Sequence, residues 1–200
     1  MALQTGSLYG RVLDLATQPL RGRLTCALVT PPGAPLAVAA PDVIVPVTLA
    51  ADADSDGVFS FTLLRAAMFS GGEPRALVRG TGWELTCLLP IGAQRGVDGG
   101  THAPSWSAPA TVTISGRLSA NAVVTLALLF PTRTPLVLAG GTVIDPRPIR
   151  GQADSGGNLT MTALSGSAPS VRPRLLIRTS TGVERVANLP TANMTWESLL

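Results

Sequence analysis

ADSDGVFSFTLL at Ala53–Leu64 and ADSGGNLTMTAL at Ala153–Leu164 decide the fold. Each opens with Ala-Asp-Ser, turns on a glycine and runs into a strand-like stretch. In the first, Val58-Phe59-Ser60-Phe61-Thr62-Leu63 alternates apolar and polar residues. A period of two marks a strand buried on one face, and Asp and Gly suit the tight turn before it.

The match extends outward from these stretches. Thr25–Leu64 lies on Thr125–Leu164 without a gap, with roughly two in five positions identical, far above chance for a period search. PPGAPLAVAAPDVIVP (Pro31–Pro46) meets PTRTPLVLAGGTVIDP (Pro131–Pro146). PRALVRGTGWELTCLLP (Pro74–Pro90) meets PRLLIRTSTGVERVANLP (Pro173–Pro190), with one residue inserted in the second copy. The chain is written twice, so each half is expected to fold from its own residues. Repeated features then read as scaffold, and reactive residues would be sought where the copies differ. Equal spacing preserves register, so Leu28/Leu128, Ile44/Ile144 and Leu77/Leu176 are expected to be equivalent.

Prolines and glycines (17 and 21 in 200 residues) punctuate the chain too often for long helices. Between them lie short segments of β character: SLYGRVLD, GRLTCALV, DVIVPVTLA, RALVRG and WELTCLL, then TVTISGRL, VVTLALLF and RLLIRTS. Many short strands at even spacing predict an all-β chain of two tandem antiparallel β-sandwiches, Ig-like or transthyretin-like. The expected layout is a first sandwich over 1–90, a Gly/Pro-rich linker over 91–109 and a second sandwich over 110–200. Single helical turns are expected at Ala66–Phe69 and Thr195–Leu200. The copies differ at their starts: the run from Gly10-Arg11-Val12 to Thr25 is six residues longer than that from Gly116-Arg117-Leu118 to Thr125. The linker is expected to be semi-extended and exposed. Its Trp106 is expected to pack on a neighbouring domain or subunit.

Composition narrows function. All 15 basic residues are arginine, the net charge is +3, and charged residues make up 14% of the chain. The arginines are scattered without an aromatic platform, which argues against nucleic acid. No apolar run approaches a membrane span. The start, MALQTGSLYGRV, lacks the pattern of a signal peptide, so synthesis in the cytoplasm without export is expected. Few charges imply an apolar surface and favour a subunit covered by neighbours.

The chemistry-bearing residues point the same way. Asp52-Ala53-Asp54-Ser55-Asp56-Gly57 has the opening of a calcium loop, but Leu63 stands where the closing carboxylate belongs, and the second copy keeps only Asp154. The shared element is a turn, and no metal is expected. Cys26 and Cys87 fall opposite Leu126 and Ala187, which predicts buried structural positions. Two free thiols are the first reading and a disulfide the alternative. His102, the only histidine, sits in the linker, a poor place to preorganise a base, and no nucleophile elbow or P-loop lysine is present. Glu84 matches Glu184 as repeated scaffold, leaving Glu73 and Glu197. The sequons at Asn158 and Asn193 carry no weight without secretion. The expectation is no enzyme, no catalytic residue and no cofactor.

The motifs have an order: a G-R-V/L strand (Gly10–Val12, Gly116–Leu118), a loop with V-I-x-P (Val43–Pro46, Val143–Pro146), A-D-S-x-G with its strand, P-R-x-L-[VI]-R, and a closing L-P. This order resembles the small β-sandwich modules of tail, baseplate and tail-fibre-adaptor proteins of double-stranded DNA bacteriophages. The ending Leu189–Leu200 is similar to their acidic-apolar tail. The same grammar occurs in transthyretin-like and carboxypeptidase-regulatory sandwiches. The phage resemblance implies a virion structural protein assembled in the host cytoplasm. Its partners would be other virion proteins and copies of itself, around a three-fold or six-fold axis, without direct contact to nucleic acid or membrane. A capsid decoration protein and a cell-surface or adhesin-type binding module are the rival expectations.

Overall fold

The alternation in Ala53–Leu64 becomes a strand with Phe59, Phe61 and Leu63 buried and Ser60 and Thr62 exposed. A computed structural model describes residues 3–30, 48–69, 74–101, 103–129, 134–167 and 173–200. The chain divides into two compact units, each all-β.

The first unit holds strands β1 (Thr5–Leu13, through Val12), β2 (Gly22–Val29), β3 (Leu49–Ala53), β4 (Val58–Leu64), β5 (Arg75–Gly80), β6 (Trp83–Leu88) and β7 (Gln94–Gly96). One sheet runs β3-β2-β5-β6, all antiparallel. In the other, β4 pairs antiparallel with β1, and β7 pairs parallel with it. Ala66–Met68 form a 3-10 turn at the expected place.

The second unit holds β8 (Thr111–Arg117), β9 (Val123–Leu129), β10 (Leu136–Leu138), the end of β11 (Thr142–Ile144), β12 (Ile149–Gln152), β13 (Asn158–Leu164), β14 (Arg174–Thr179), β15 (Glu184–Asn188), β16 (Met194–Thr195) and α1 (Trp196–Leu199). Its sheets run β12-β9-β14-β15 and β13-β8-β16. Lettered A to G along each copy, both units show CBEF and DAG. An Ig constant domain would show ABED and CFG, so the strand order departs from the Ig arrangement.

The registers are superimposable. Leu28 faces Ala76 and Leu128 faces Leu175. Leu77 faces Ala27 and Leu176 faces Ala127. Two of the three expected equivalences therefore hold at the level of single rungs. Ile44 lies outside the described residues.

The boundaries depart from the linear cut at 90 and 109. Leu13–Gln18 cluster with the second unit, and Ala139–Val143 with the first. The six residues by which the first copy exceeds the second are thus accounted for by Leu13–Gln18. Leu13 and Leu15 are fully buried in the second core, and the Leu15 carbonyl accepts the Leu164 N–H at 2.7 Å. In the first unit, β11 lies beside β1, and Gly141 O accepts the Arg11 N–H at 3.0 Å. Apolar alternation says that a residue is buried and leaves open in which core.

The expected exposed linker is corrected over its first part only; Thr101, Ala103, Pro104, Ser105, Ser107 and Ala108 are exposed and outside any strand. Gln94–Gly96 form a strand on β1, and Val97 is buried. The Asp98 carboxylate accepts the Gly100 and Gly140 N–H groups at 3.1 and 2.8 Å. Trp106 belongs to the first unit, where it meets Tyr9 edge-on with centroids 5.8 Å apart. His102 lies outside the described residues.

Candidate interaction surface

The acidic turn is occupied by its own backbone. Asp54 Oδ1 accepts the N–H groups of Asp56 and Val58, both at 2.9 Å. Asp154 Oδ1 does the same for Gly156 and Asn158, both at 2.8 Å. The arginine of each G-R motif closes the turn from the neighbouring strand: Arg11 Nε donates to Asp56 O at 2.8 Å and Arg117 Nε to Gly156 O at 3.0 Å. Gly57 and Gly157 have φ of +77° and +86°, and a Cβ there would collide with the carbonyls of Val12 and Leu118. The motif thus specifies a side-chain-stapled turn, and no group of three or more His, Cys, Asp or Glu among the described residues could hold a metal.

Hydrogen bonds from Asn158, first its side chain and then its backbone, hold the Asp154 carboxyl below its ordinary value of 3.8. A depressed carboxylate pKa stabilises the fold above the unfolded value, and that contribution is lost as pH falls through the folded value. Asp154→Ala is therefore expected to lower the urea midpoint at pH 7 and to flatten its fall between pH 4 and pH 2. An unchanged acid limb would refute this role.

Cys26 and Cys87 are free and buried. They sit on β2 and β6 with β5 between them. Two strand spacings come to roughly 9–10 Å, beyond the ~7 Å Cα separation a disulfide tolerates. Burial pushes Cys26 up to about 11 and Cys87 to about 12. The folded state holds these protons more tightly, so stability present at neutral pH should decline as pH rises above 9. A thiol-exchange reagent at pH 8 is expected to modify both cysteines at least about 100-fold more slowly in the native chain than in denaturant. Equal rates would place them at the surface.

Other titratable groups do structural tasks. Asp145, 2% exposed, is gripped by Arg147 through Nε at 3.0 Å and Nη2 at 2.9 Å. Glu84 and Glu184 pair with Arg79 and Arg178 at 3.3 and 2.7 Å. Glu197 accepts the Arg117 N–H at 3.4 Å. Glu73 lies outside the described residues. A cleft of about 820 Å³ in the second unit is lined by Ser167, Asn188, Asn193, Met194 and neighbours, with no ionisable side chain. The Asn193 amide oxygen there is taken up by the Thr113 N–H at 2.8 Å.

What remains is the outward face of each four-stranded sheet. Across β2, β5 and β6 its rows read Thr25-Arg79-Glu84, Ala27-Leu77-Thr86 and Val29-Arg75-Leu88. Across β9, β14 and β15 they read Thr125-Arg178-Glu184, Ala127-Leu176-Val186 and Leu129-Arg174-Asn188. Six of these nine positions are identical between the copies. On the inward face Leu28/Leu128 is kept, whereas Cys26/Leu126, Ala76/Leu175, Val78/Ile177 and Cys87/Ala187 have changed. Cores tolerate volume-compensated exchange; on the outward face the Arg79–Glu84 and Arg178–Glu184 ion pairs account for two of the six retained positions, and the other four have no such pair to hold them. The side chains of Arg75 and Arg174 have no ion-pair or hydrogen-bond partner among the described residues. Sequence reasoning assigned repeated residues to scaffold and missed this surface. The signal was present in T-x-A and R-x-L-x-R, and register was needed to see that these residues share a face.

No family model matches the chain, and no curated protein matches it in sequence. Among solved structures, the native conformation of the E. coli alpha-2-macroglobulin is similar over 92% of this chain, at 12% identity and a TM-score of 0.31. The chain spans 13% of that protein's length. A DUF3823 family protein from Parabacteroides merdae is similar over 94% of this chain and all of its own, at 14% identity and a TM-score of 0.26. Likenesses this distant leave function to the chain's own residues. No helix among the described residues is long and apolar enough to cross a membrane.

Proposed function

We propose that the chain is a non-catalytic structural subunit: two tandem β-sandwiches that work by binding neighbours in a larger assembly. The observation that carries this reading is the outward face of β2-β5-β6 and β9-β14-β15, where six of nine positions are retained while the cores behind them and the neighbouring β3 and β12 changed. Among the described residues only Leu3, Ile91, Leu129 and Val183 are exposed large hydrophobics, so the reading rests on this face and not on a broad apolar surface. The finer reading is a virion protein of a phage tail, baseplate or fibre base, joined to other virion proteins and to itself around a three-fold or six-fold axis. The order of the G-R, A-D-S-x-G, P-R and L-P motifs supports that assignment. Quantitative mass spectrometry of particles purified from the producing cells is expected to find a fixed copy number divisible by three. Absence from particles would overturn the virion reading. A hydrolase activity on glycan or cell-wall substrates, lost with one side chain, would overturn the structural reading altogether.

A further inference from the structure

The second unit's outward face is complementary to itself, and the geometry points to a second copy of this chain as its occupant. The inference deepens the structural-subunit reading and rests on it. With β12 included, the first row reads Arg150, Thr125, Arg178, Glu184. Arg150 has no carboxylate partner among the described residues, and Glu184, whose Oε2 is already held by Arg178 Nε at 2.7 Å, stands at the opposite end of the row. The second row sets small Ala127 beside Leu176, and the third sets Leu129, 42% exposed, beside the unpartnered Arg174.

A two-fold axis along the strands, between β9 and β14, turns this pattern onto itself. In the second copy β15 then faces β12 of the first, and β14 faces β9. Glu184 of each copy meets Arg150 of the other, so an opposite-charge pair forms at both rims. Leu176 settles over Ala127, large on small. The Arg174 stem covers Leu129. Arg178 faces Thr125, so no like charges are forced together. Such an isologous contact uses one patch twice. The first unit repeats the apolar centre but carries Ala50 where the second has Arg150, so it lacks the rim pair.

Magnitude sets the expected strength. Four strands at about 4.8 Å and five residues at about 3.4 Å give a patch of roughly 19 by 17 Å. That is well under the ~800 Å² per partner of a stable interface. The pairing should be weak, with a Kd of tens to hundreds of micromolar, and weaker still in high salt because its charges are at the rim.

Charge exchange tests this directly. Sedimentation velocity of the full chain is expected to show a concentration-dependent dimer. Arg150→Glu alone and Glu184→Arg alone should each dimerise at least about tenfold more weakly, since each sets like charges opposite. Mixed one to one, the two variants should associate with each other, because both rim pairs are then opposite in sign. Circular dichroism melts of each variant check that the fold is intact. A wild-type chain that stays monomeric at about 1 mM, or variants that fail to pair with each other, would overturn the inference. Either result leaves the subunit reading standing, since that fails on absence from particles.

Discussion

Divided at Pro109, the chain is expected to yield two fragments that do not fold alone. Fragment 110–200 lacks Leu13 and Leu15, both fully buried in the second core. It also lacks the carbonyls of Leu13 and Leu15 that accept the Asp145 and Leu164 N–H groups at 2.8 and 2.7 Å. Removing a buried leucine costs about 2–5 kcal/mol. Two of them cost about 4–10 kcal/mol against a total domain stability of about 5–15 kcal/mol. Fragment 1–109 lacks Ala139–Val143, and with them the Gly141 carbonyl on Arg11 and the Gly140 N–H on Asp98. Thermal melts by circular dichroism should show no cooperative transition for either fragment, and mixing the two should restore one. A fragment 110–200 that melts cooperatively within a few degrees of the full chain would contradict the assignment of Leu13–Gln18. Each half, read as sequence, was expected to fold from its own residues.

Trp196→Ala should be among the most damaging single substitutions. The indole is fully buried, and its Nε1 donates to the Leu159 carbonyl at 3.0 Å. Truncation leaves a large cavity and removes the indole's hydrogen bond, at about 3–5 kcal/mol. In a unit of this size the melting temperature should fall by at least about 12 °C. Trp196→Phe keeps part of the packing, loses the donor and should fall between wild type and alanine. Trp106→Ala provides the contrast: the ring is half-buried, its edge contact to Tyr9 is worth about 1 kcal/mol, and a shift of a few degrees is expected. Equal losses at the two tryptophans would show that Trp196 is not packed as described.

Much of this architecture was legible before any coordinates. The strand over Val58–Leu64 follows from its period of two, the turn before it from Asp and Gly, and the duplication from the ungapped match. Both helical turns fell where expected. The exchanged segments were not legible, for a physical reason. Leu13 and Leu15 alternate like any half-buried strand residues, and periodicity carries no address. β7 was hidden in a different way: three residues inside a Gly/Pro-rich stretch have no recognisable pattern, and their parallel pairing with β1 is non-local. Asn193 is a subtler case. Where the Ala93 carbonyl accepts the Ser7 N–H in the first unit, the Asn193 side chain accepts the Thr113 N–H in the second. A backbone group and a side chain fill one role, and no residue match exposes it.

The exchanged segments also set a clock on the ribosome. Every other residue of the first unit has been made once Trp106 is added, yet the unit waits for Ala139–Val143. Those lie about forty residues further on, which at ~5–20 residues per second is a delay of about 2–8 s. Through that interval the end of β1 beyond Tyr9, which β7 does not cover, is an open strand edge, the kind of surface on which nascent chains pair wrongly. Slowing translation before Val143 should therefore increase aggregation of the nascent chain.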